Sequence, residues 1–127
     1  MNVQHDIGIA SQIGKYGDAI EVPAHAKWLL TSGTPGLAKD GVVPEGIAAQ
    51  AELAWNHIAE MLDRAGMAVH DLVKITQYLT QESDIAAYAQ VRNRFLGELR
   101  PASMLLVIPA LVRPGFLLEV EVVAAKA

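Results

Sequence analysis

The sequence predicts an α+β fold with the element order βββαβαββ, in which two helices pack on one face of a mixed sheet. Three observations lead to it. The hydrophobic period changes from short alternating runs to a helical repeat after Pro44, returns to alternation over 71–80, and ends in two apolar strands at 103–108 and 116–124. A chain of 127 residues is the size of one domain, so we expect a single domain over 1–127.

The first third of the chain is predicted to form a hairpin and a third strand. The hairpin is indicated by apolar residues on either side of turn formers, namely Ile7, Ile9 and Ile13 before Gly14, Gly17 and Asp18, with Ile20 and Val22 after them. Residues 27–31 follow as the third strand, which a Ser-Gly-Thr-Pro-Gly cluster stops. We interpret residues 35–46 as a connecting loop.

Two amphipathic helices are predicted next. The first carries one apolar stripe at steps of three and four, made of Ile47, Ala51, Ala54, Ile58, Met61 and Ala65, and Gly66 is placed to end it. The second begins with Ser83 as its cap and runs to about Leu99, with an apolar face of Ile85, Tyr88, Val91, Phe95 and Leu99.

The strand between the helices alternates, so that one face of the sheet is left without a cover. Val73, Ile75 and Leu79 lie on one face of this strand, and Lys74, Thr76 and Tyr78 on the other. Hydrophobic residues make up 52% of the chain and charged residues only 19%. A small monomer cannot hide this apolar content, so we expect self-association.

Composition also argues against several classes of function. The net charge of −4 provides no basic stripe for phosphates, which disfavours nucleic-acid binding. The chain has no cysteine, and its four histidines show no metal-ligand spacing. No apolar run approaches the ~20 residues of a membrane span, and the N-terminus lacks the pattern of a signal peptide, so we expect a cytoplasmic protein with no membrane partner.

Two carboxylates stand out because they interrupt an apolar strand. Glu119 and Glu121 lie two residues apart and therefore share a face of the last strand. Charge on such a strand serves either solubility at an exposed edge or a functional site. The residues alone leave both interpretations open.

Several short segments, in order along the chain, resemble those of the Rid family (YjgF-like, reactive intermediate deaminases). They are Ile13-Gly14-Lys15-Tyr16, Thr31-Ser32-Gly33, Ala49-Gln50-Ala51 followed by Met61-Leu62, the strand from Val73 to Leu79, and Pro101-Ala102 with Glu119-Val120-Glu121. The resemblance implies a chorismate-mutase-like fold and a homotrimer with a small-molecule cleft at each subunit interface. It further implies hydrolysis of enamines and imines without a metal or an organic cofactor.

The resemblance also assigns residues. Glu119 is expected to position the attacking water, with Tyr16 and Ser32 as the other catalytic residues, and Gly33, Ser103, Leu105 and Ala89 are expected to line the substrate site. Three of these positions depart from the family pattern: Ser103 stands where the family has a carboxylate-binding arginine, Leu105 where a cysteine is frequent, and Ala89 where a small polar residue is usual. Glu119 is aligned across a one-residue insertion between residues 111 and 115.

The missing arginine carries the largest consequence. A serine offers a hydrogen bond but no charge, and loss of a charge-assisted carboxylate contact costs about 2–5 kcal/mol. We therefore expect weak or no activity on 2-aminoacrylate by the usual route, unless Arg100 or Arg113 supplies a displaced charge. Two hypotheses remain: an imine or enamine deaminase with a remodelled anchor, and a non-catalytic small-molecule binding or regulatory module that uses the same clefts. A ribonuclease is disfavoured by the acidic balance and the absence of a histidine pair.

Overall fold

The computed structural model describes all residues from Met1 to Ala127. Its strands are β1 (Val3–His5), β2 (Ala19–Glu21), β3 (Lys27–Leu30), β4 (Thr34–Pro35), β5 (Leu72–Leu79), β6 (Ala102–Val107) and β7 (Leu118–Lys126), and its helices are α1 (Ile47–Arg64) and α2 (Ile85–Leu96). None of the helices is long and apolar enough to cross a membrane.

The main sheet is mixed, as predicted. Its strand order is β3-β7-β5-β6, and the short β4 also pairs with β7. β5 and β6 run parallel because α2 connects them as a crossover, whereas β7 is antiparallel to β3, β4 and β5. Both helices pack on one face, so the α+β prediction is confirmed. The two-residue β4 is an addition to the predicted order, formed within the turn cluster that ends β3.

The core lies between α1, α2 and the sheet. The predicted stripe of α1 is buried from Ile47 to Ile58, and Met61 and Ala65 pack against the same cluster. Gly66 follows the helix with a φ of +73°, and the next residue's N–H donates back to Leu62 at 2.8 Å. This is the glycine C-cap that the sequence predicted.

The first predicted strand is wrong. The hairpin exists, but its first strand is β1, and the chain from Ile7 to Ile13 folds into turns instead. The cause is Asp18, whose carboxylate accepts the N–H groups of Ile7 at 2.7 Å and Ala10 at 2.8 Å. These hydrogen bonds also lower the pKa of Asp18. A side chain that takes the backbone donors of a segment removes them from a strand ladder.

The second helix is shorter than predicted. A short 3₁₀ turn over Glu82–Asp84 precedes it, and the N-cap is Asp84 rather than Ser83, without a side-chain hydrogen bond. Gly97, with a φ of +56°, ends the helix and its N–H bonds to Asn93 at 2.9 Å. Glycine adopts this left-handed conformation without the steric cost that other residues meet.

Candidate functional site

The predicted site residues lie on two opposite faces of the sheet. We call the face under α1 and α2 the covered face, and the other the open face. On β5 the side chain of Gln77 is fully buried against α2, and that of Tyr78 bonds to Glu121 across the open face. Ser103 contacts Gln77 and so lies on the covered face, whereas Glu119 pairs in register with Tyr78 and lies on the open face.

The outer strands of the open face, β3 and β6, carry exposed apolar side chains. Leu30 on β3 is 70% exposed and Trp28 50%, and Met104 and Leu106 on β6 are 50% and 38% exposed. These positions alternate with side chains that face the core, as half-covered strands require. The sequence-based prediction of an uncovered apolar face therefore describes this surface correctly.

Glu119 is the carboxylate of this face whose titration is altered. It is half-buried, and desolvation followed by repulsion from Glu121 raises its pKa. Tyr78 donates to Glu121 at 3.2 Å, and the pKa of Tyr78 is raised by the same carboxylate. A carboxyl group with a raised pKa is a stronger base once it is ionised.

Gly33 permits the position of Glu119. A Cβ atom at residue 33 would overlap the Glu119 carboxylate, so only glycine allows this close approach. The register supports the contact, because Pro35 pairs with Glu119 through β4. Ser32, exposed at the end of β3, comes immediately before Gly33. The structure thus brings together Ser32, Gly33 and Glu119, three of the predicted residues.

The remaining predicted residues gather on the other side of the sheet. A cavity of about 280 Å³, which we call the covered-face cavity, is lined by Ile13, Gly14, Tyr16, Ile85, Arg92, Ser103, Met104 and Leu105. Tyr16 is held next to the start of β6 because the following residue, Gly17, donates its N–H to the Pro101 carbonyl at 3.1 Å and bridges to Ala102. Tyr16, Ser103 and Leu105 therefore meet in one cavity. The exposed Ser32–Gly33 segment is not part of it.

A buried hydrogen-bond network underlies this cavity. Gln77 donates to the Ser103 hydroxyl and to the Met104 carbonyl, both at 2.9 Å. Its carbonyl oxygen accepts from Tyr88 at 2.7 Å and from Arg92 at 3.1 Å. The Tyr88 hydroxyl in turn accepts from Trp55 at 3.3 Å, and burial raises the pKa of Tyr88. Every donor and acceptor of the Gln77 amide is satisfied.

Arg92 is the residue that sequence reasoning missed. It lines the cavity beside Ser103, and its guanidinium lies 5.6 Å from the centre of the Tyr88 ring. The two arginines considered from the sequence lie elsewhere: Arg100 donates to the carbonyls of Gly97 and Leu99, and Arg113 lies over Phe116. The signal that points to Arg92 is its position seven residues after Ile85, on the side of α2 that faces Ser103.

Ala89 lies on the same helix, three residues before Arg92, and is partly buried. It does not line the cavity, but it occupies the turn between Ile85 and Arg92, which both do. As to ions, no three His, Asp or Glu side chains of the chain converge as metal ligands would.

Similarity to known proteins agrees with this architecture. The family model described as Endoribonuclease L-PSP matches residues 9–126. A RutC family protein from Pyrococcus abyssi is 30% identical over 116 residues, which make up 90% of this chain and 88% of that protein. The 2-iminobutanoate/2-iminopropanoate deaminase of Mus musculus is 28% identical over 116 residues, or 90% of this chain and 83% of that enzyme.

A solved structure supports the same assignment. Escherichia coli TdcF with bound serine has a TM-score of 0.76 with this chain, at 25% identity and with 91% of each chain covered. The two helices on one face of a mixed sheet are thus those of a chorismate-mutase-like fold. Together with the family model, these relatives show that the chain belongs to the Rid (YjgF/L-PSP) family, as its sequence motifs indicated.

Proposed function

We propose that this protein is a cofactor-independent deaminase that hydrolyses the C=N bond of a small imine, or of the imine tautomer of an enamine. Glu119 is the observation that carries the proposal. Its carboxylate is half-buried, has a raised pKa, and lies close against the backbone of Gly33. Ionised carboxylates in such surroundings are costly to the fold, and function is the usual reason for keeping them.

The chemistry needs a base and water. The Glu119 carboxylate takes a proton from water as the water oxygen bonds to the imine carbon, and the electrons of the C=N double bond move to nitrogen. The Glu119 carboxyl then returns this proton to the nitrogen, which gives an amino alcohol. The hydroxyl of this intermediate passes its own proton through Glu119 to the nitrogen as the C–N bond breaks, so that ammonia leaves and the C=O group forms. Imine and water give a carbonyl compound and ammonia. A carboxylate in this role contributes about 10²–10⁴-fold to the rate.

The site is composite in this proposal. Ser103 pairs with Ile75 and Glu119 with Tyr78, and their side chains leave the sheet on opposite faces. One chain therefore cannot put Glu119 and Ser103 on the same small molecule. A cleft between two subunits of a homotrimer, with Glu119 from one and the covered-face cavity from the next, unites them. The exposed apolar side chains of the open face support such an assembly.

The names of relatives point to the same chemistry. The mouse relative is named for the deamination of 2-iminobutanoate and 2-iminopropanoate, and the TdcF structure contains serine, a small amino acid. Both names refer to short molecules that carry nitrogen beside a carboxylate. We therefore expect a substrate of similar size for this protein.

The test measures ammonia released from imines generated in the assay. The first substrate is 2-iminobutanoate, and the second is butan-2-imine, in which a methyl group replaces the carboxylate. Wild-type protein should accelerate hydrolysis of at least one of them, and Glu119→Gln should lower kcat by about 10²–10⁴-fold. No acceleration of either imine, or equal rates for wild type and Glu119→Gln, would overturn the proposal.

Glu121→Gln is the matched control on the same strand and face. It should keep most of the activity, because Glu121 is engaged by Tyr78. It should also move the acid limb of the kcat/KM profile to lower pH, because repulsion from Glu121 helps to raise the pKa of Glu119. A control variant as inactive as Glu119→Gln would contradict the assignment of the base to Glu119.

A further inference from the structure

We propose that Arg92 and the Ser103 hydroxyl form the anion anchor of the covered-face cavity, and that this anchor selects imines with a carboxylate next to the C=N carbon. The proposed imine hydrolysis supplies the substrate class, and the inference rests on it to that extent. In this anchor Arg92 on α2 supplies the positive charge that the serine at position 103 of β6 does not provide.

The first argument is an uncompensated charge. The ion pairs of the chain join other residues, and none includes Arg92. Its partners within the chain are all neutral: the amide oxygens of Asn93 at 3.2 Å and Gln77 at 3.1 Å, and the face of the Tyr88 ring. A half-buried guanidinium with five donors and no anion beside it matches a planar carboxylate from a ligand.

The second argument is that the buried hydrogen-bond network allows only one orientation of the Gln77 amide, which contacts both residues of the anchor. A guanidinium can only donate and the Met104 carbonyl can only accept. The oxygen of the Gln77 amide therefore faces Arg92, and its nitrogen faces Met104 and Ser103. The Tyr88 hydroxyl, which accepts from Trp55, donates to the same oxygen.

The consequence falls on Ser103. Its oxygen accepts from the Gln77 nitrogen at 2.9 Å, and its own proton is donated to no group of the chain. Since Ser103 lines the cavity, this proton is available to a ligand oxygen there. The Arg92 guanidinium and the Ser103 hydroxyl therefore both offer donors to this cavity, and together they can bind the two oxygens of one carboxylate.

The rest of the cavity limits what the carboxylate can be attached to. Ile85 and Leu105 supply apolar wall next to Arg92, and the volume of about 280 Å³ is small. Short aliphatic imino acids fit this combination of one anionic end and a brief hydrocarbon chain. Tyr16 also lines this cavity and contributes an aromatic ring with a hydroxyl group.

The experiment compares Arg92→Met with Arg94→Met. Arg94 lies on the same helix but is exposed and contacts Glu52 at 3.9 Å, so its loss controls for helix charge. Arg92→Met should lower kcat/KM for 2-iminobutanoate by about 30-fold or more and leave that for butan-2-imine within about threefold. Ser103→Ala should lower the first value about 3- to 30-fold. Equal losses on both imines, or none, would overturn the anchor.

Gln77→Glu tests the same site without removing the guanidinium. One oxygen of the new carboxylate would take the place of the amide oxygen 3.1 Å from Arg92 and neutralise the guanidinium internally. The other would replace the amide nitrogen and accept the proton of Ser103, so that neither donor of the anchor stays free. We expect discrimination between the two imines to fall as in Arg92→Met, with the circular dichroism spectrum unchanged. Undiminished discrimination in a folded Gln77→Glu protein would contradict the role of an unpaired charge.

A binding measurement separates this inference from the proposed function. 2-Oxobutanoate carries the same carboxylate but cannot be deaminated, and its dissociation constant is measured by titration calorimetry. Wild type, Arg94→Met and Glu119→Gln should bind it about equally, and Arg92→Met about 30-fold or more weakly. If the wild type shows this binding pattern but hydrolyses neither imine, only the proposed hydrolysis is contradicted. If Arg92→Met binds 2-oxobutanoate as tightly as the wild type, the proposed anchor is contradicted.

Discussion

The two faces of the sheet handle polar groups in opposite ways. On the covered face, the fully buried Gln77 makes four hydrogen bonds, and these fix the orientations of Tyr88, Arg92 and Ser103. On the open face, Glu119 and Glu121 repel each other beside exposed apolar side chains. Polar atoms of the covered face are satisfied by hydrogen bonds within the core, whereas two carboxylates of the open face lie close together with like charge.

This difference separates two tasks. The covered face holds a preorganised binding element that one chain completes by itself, since all the contacts of the network lie within the protomer. In the proposed function the open face carries the base, Glu119, and a second copy of the chain completes its surroundings. If both proposals hold, the anchor can change within α2 and β6 while the base stays on β7.

The largest expected effect comes from charging the open face. Leu30→Glu places a carboxylate at a position that is 70% exposed and paired with Val123 of β7. In an oligomer this charge would be desolvated at every interface, at a cost of several kcal/mol each. We expect a folded monomer with no measurable deamination, observed by light scattering together with ammonia release.

Ala48→Glu is the control for the charge itself. Ala48 is exposed in the first turn of α1, where a negative charge is favoured by the helix dipole. This variant should keep the oligomeric state and activity of the wild type. A Leu30→Glu protein that stays oligomeric and active would show that the open face is not the contact surface.

Mixing two inactive variants tests whether opposite faces act in one cleft. Arg92→Met lacks the anchor and Glu119→Gln lacks the base, so neither homo-oligomer should turn over 2-iminobutanoate at an appreciable rate. In randomly mixed trimers about a quarter of the clefts combine an intact anchor from one subunit with an intact base from the next. Activity near that fraction after joint refolding is expected, and no recovery would mean that each site is built by a single chain.

A smaller effect concerns the stability of the covered face. Gln77→Leu removes the shared partner of Tyr88 and Ser103 and leaves Arg92 without its buried acceptor. Stranded polar groups of this kind cost about 1–3 kcal/mol each, so the free energy of unfolding in urea should fall by at least that amount. Thr76→Val, on the neighbouring position of the open face, should change it by less than about 1 kcal/mol. If both variants lower the free energy of unfolding by a similar amount, the hydrogen bonds of Gln77 do not contribute specifically to stability.

The sequence predicted the periodic elements well and the polar network poorly. Helix α1 was predicted almost completely because its stripe and Gly66 agree with each other. The prediction of a strand at Ile7–Ile13 was wrong because the side chain of Asp18 accepts hydrogen bonds from the backbone N–H groups of that segment. Hydrophobic alternation in the sequence gives no information about such a bond.

The candidate site divides in the same way. Motif resemblance located Ser32, Gly33 and Glu119, which the structure brings together at one edge of the open face. It did not locate Arg92, because a charged residue at the edge of a helix stripe is ordinarily solvated. Gln77 was the available signal: a polar side chain at a position where the alternation of β5 requires an apolar one must bond to something buried.

The smallest effect is also the most specific to the open face. Because the pKa of Glu119 is raised in the folded protein, the native state holds this proton more tightly than the unfolded chain does. The resulting stability is complete below the ordinary glutamate pKa and is lost as the pH rises through the raised value. Glu119→Gln should therefore raise the free energy of unfolding at neutral pH and have almost no effect near pH 3. Urea unfolding of both proteins at one protomer concentration measures this, with the exposed and unpaired Glu98→Gln as the control. A stabilisation that persists unchanged at acid pH would mean that ionisation of Glu119 is not its source.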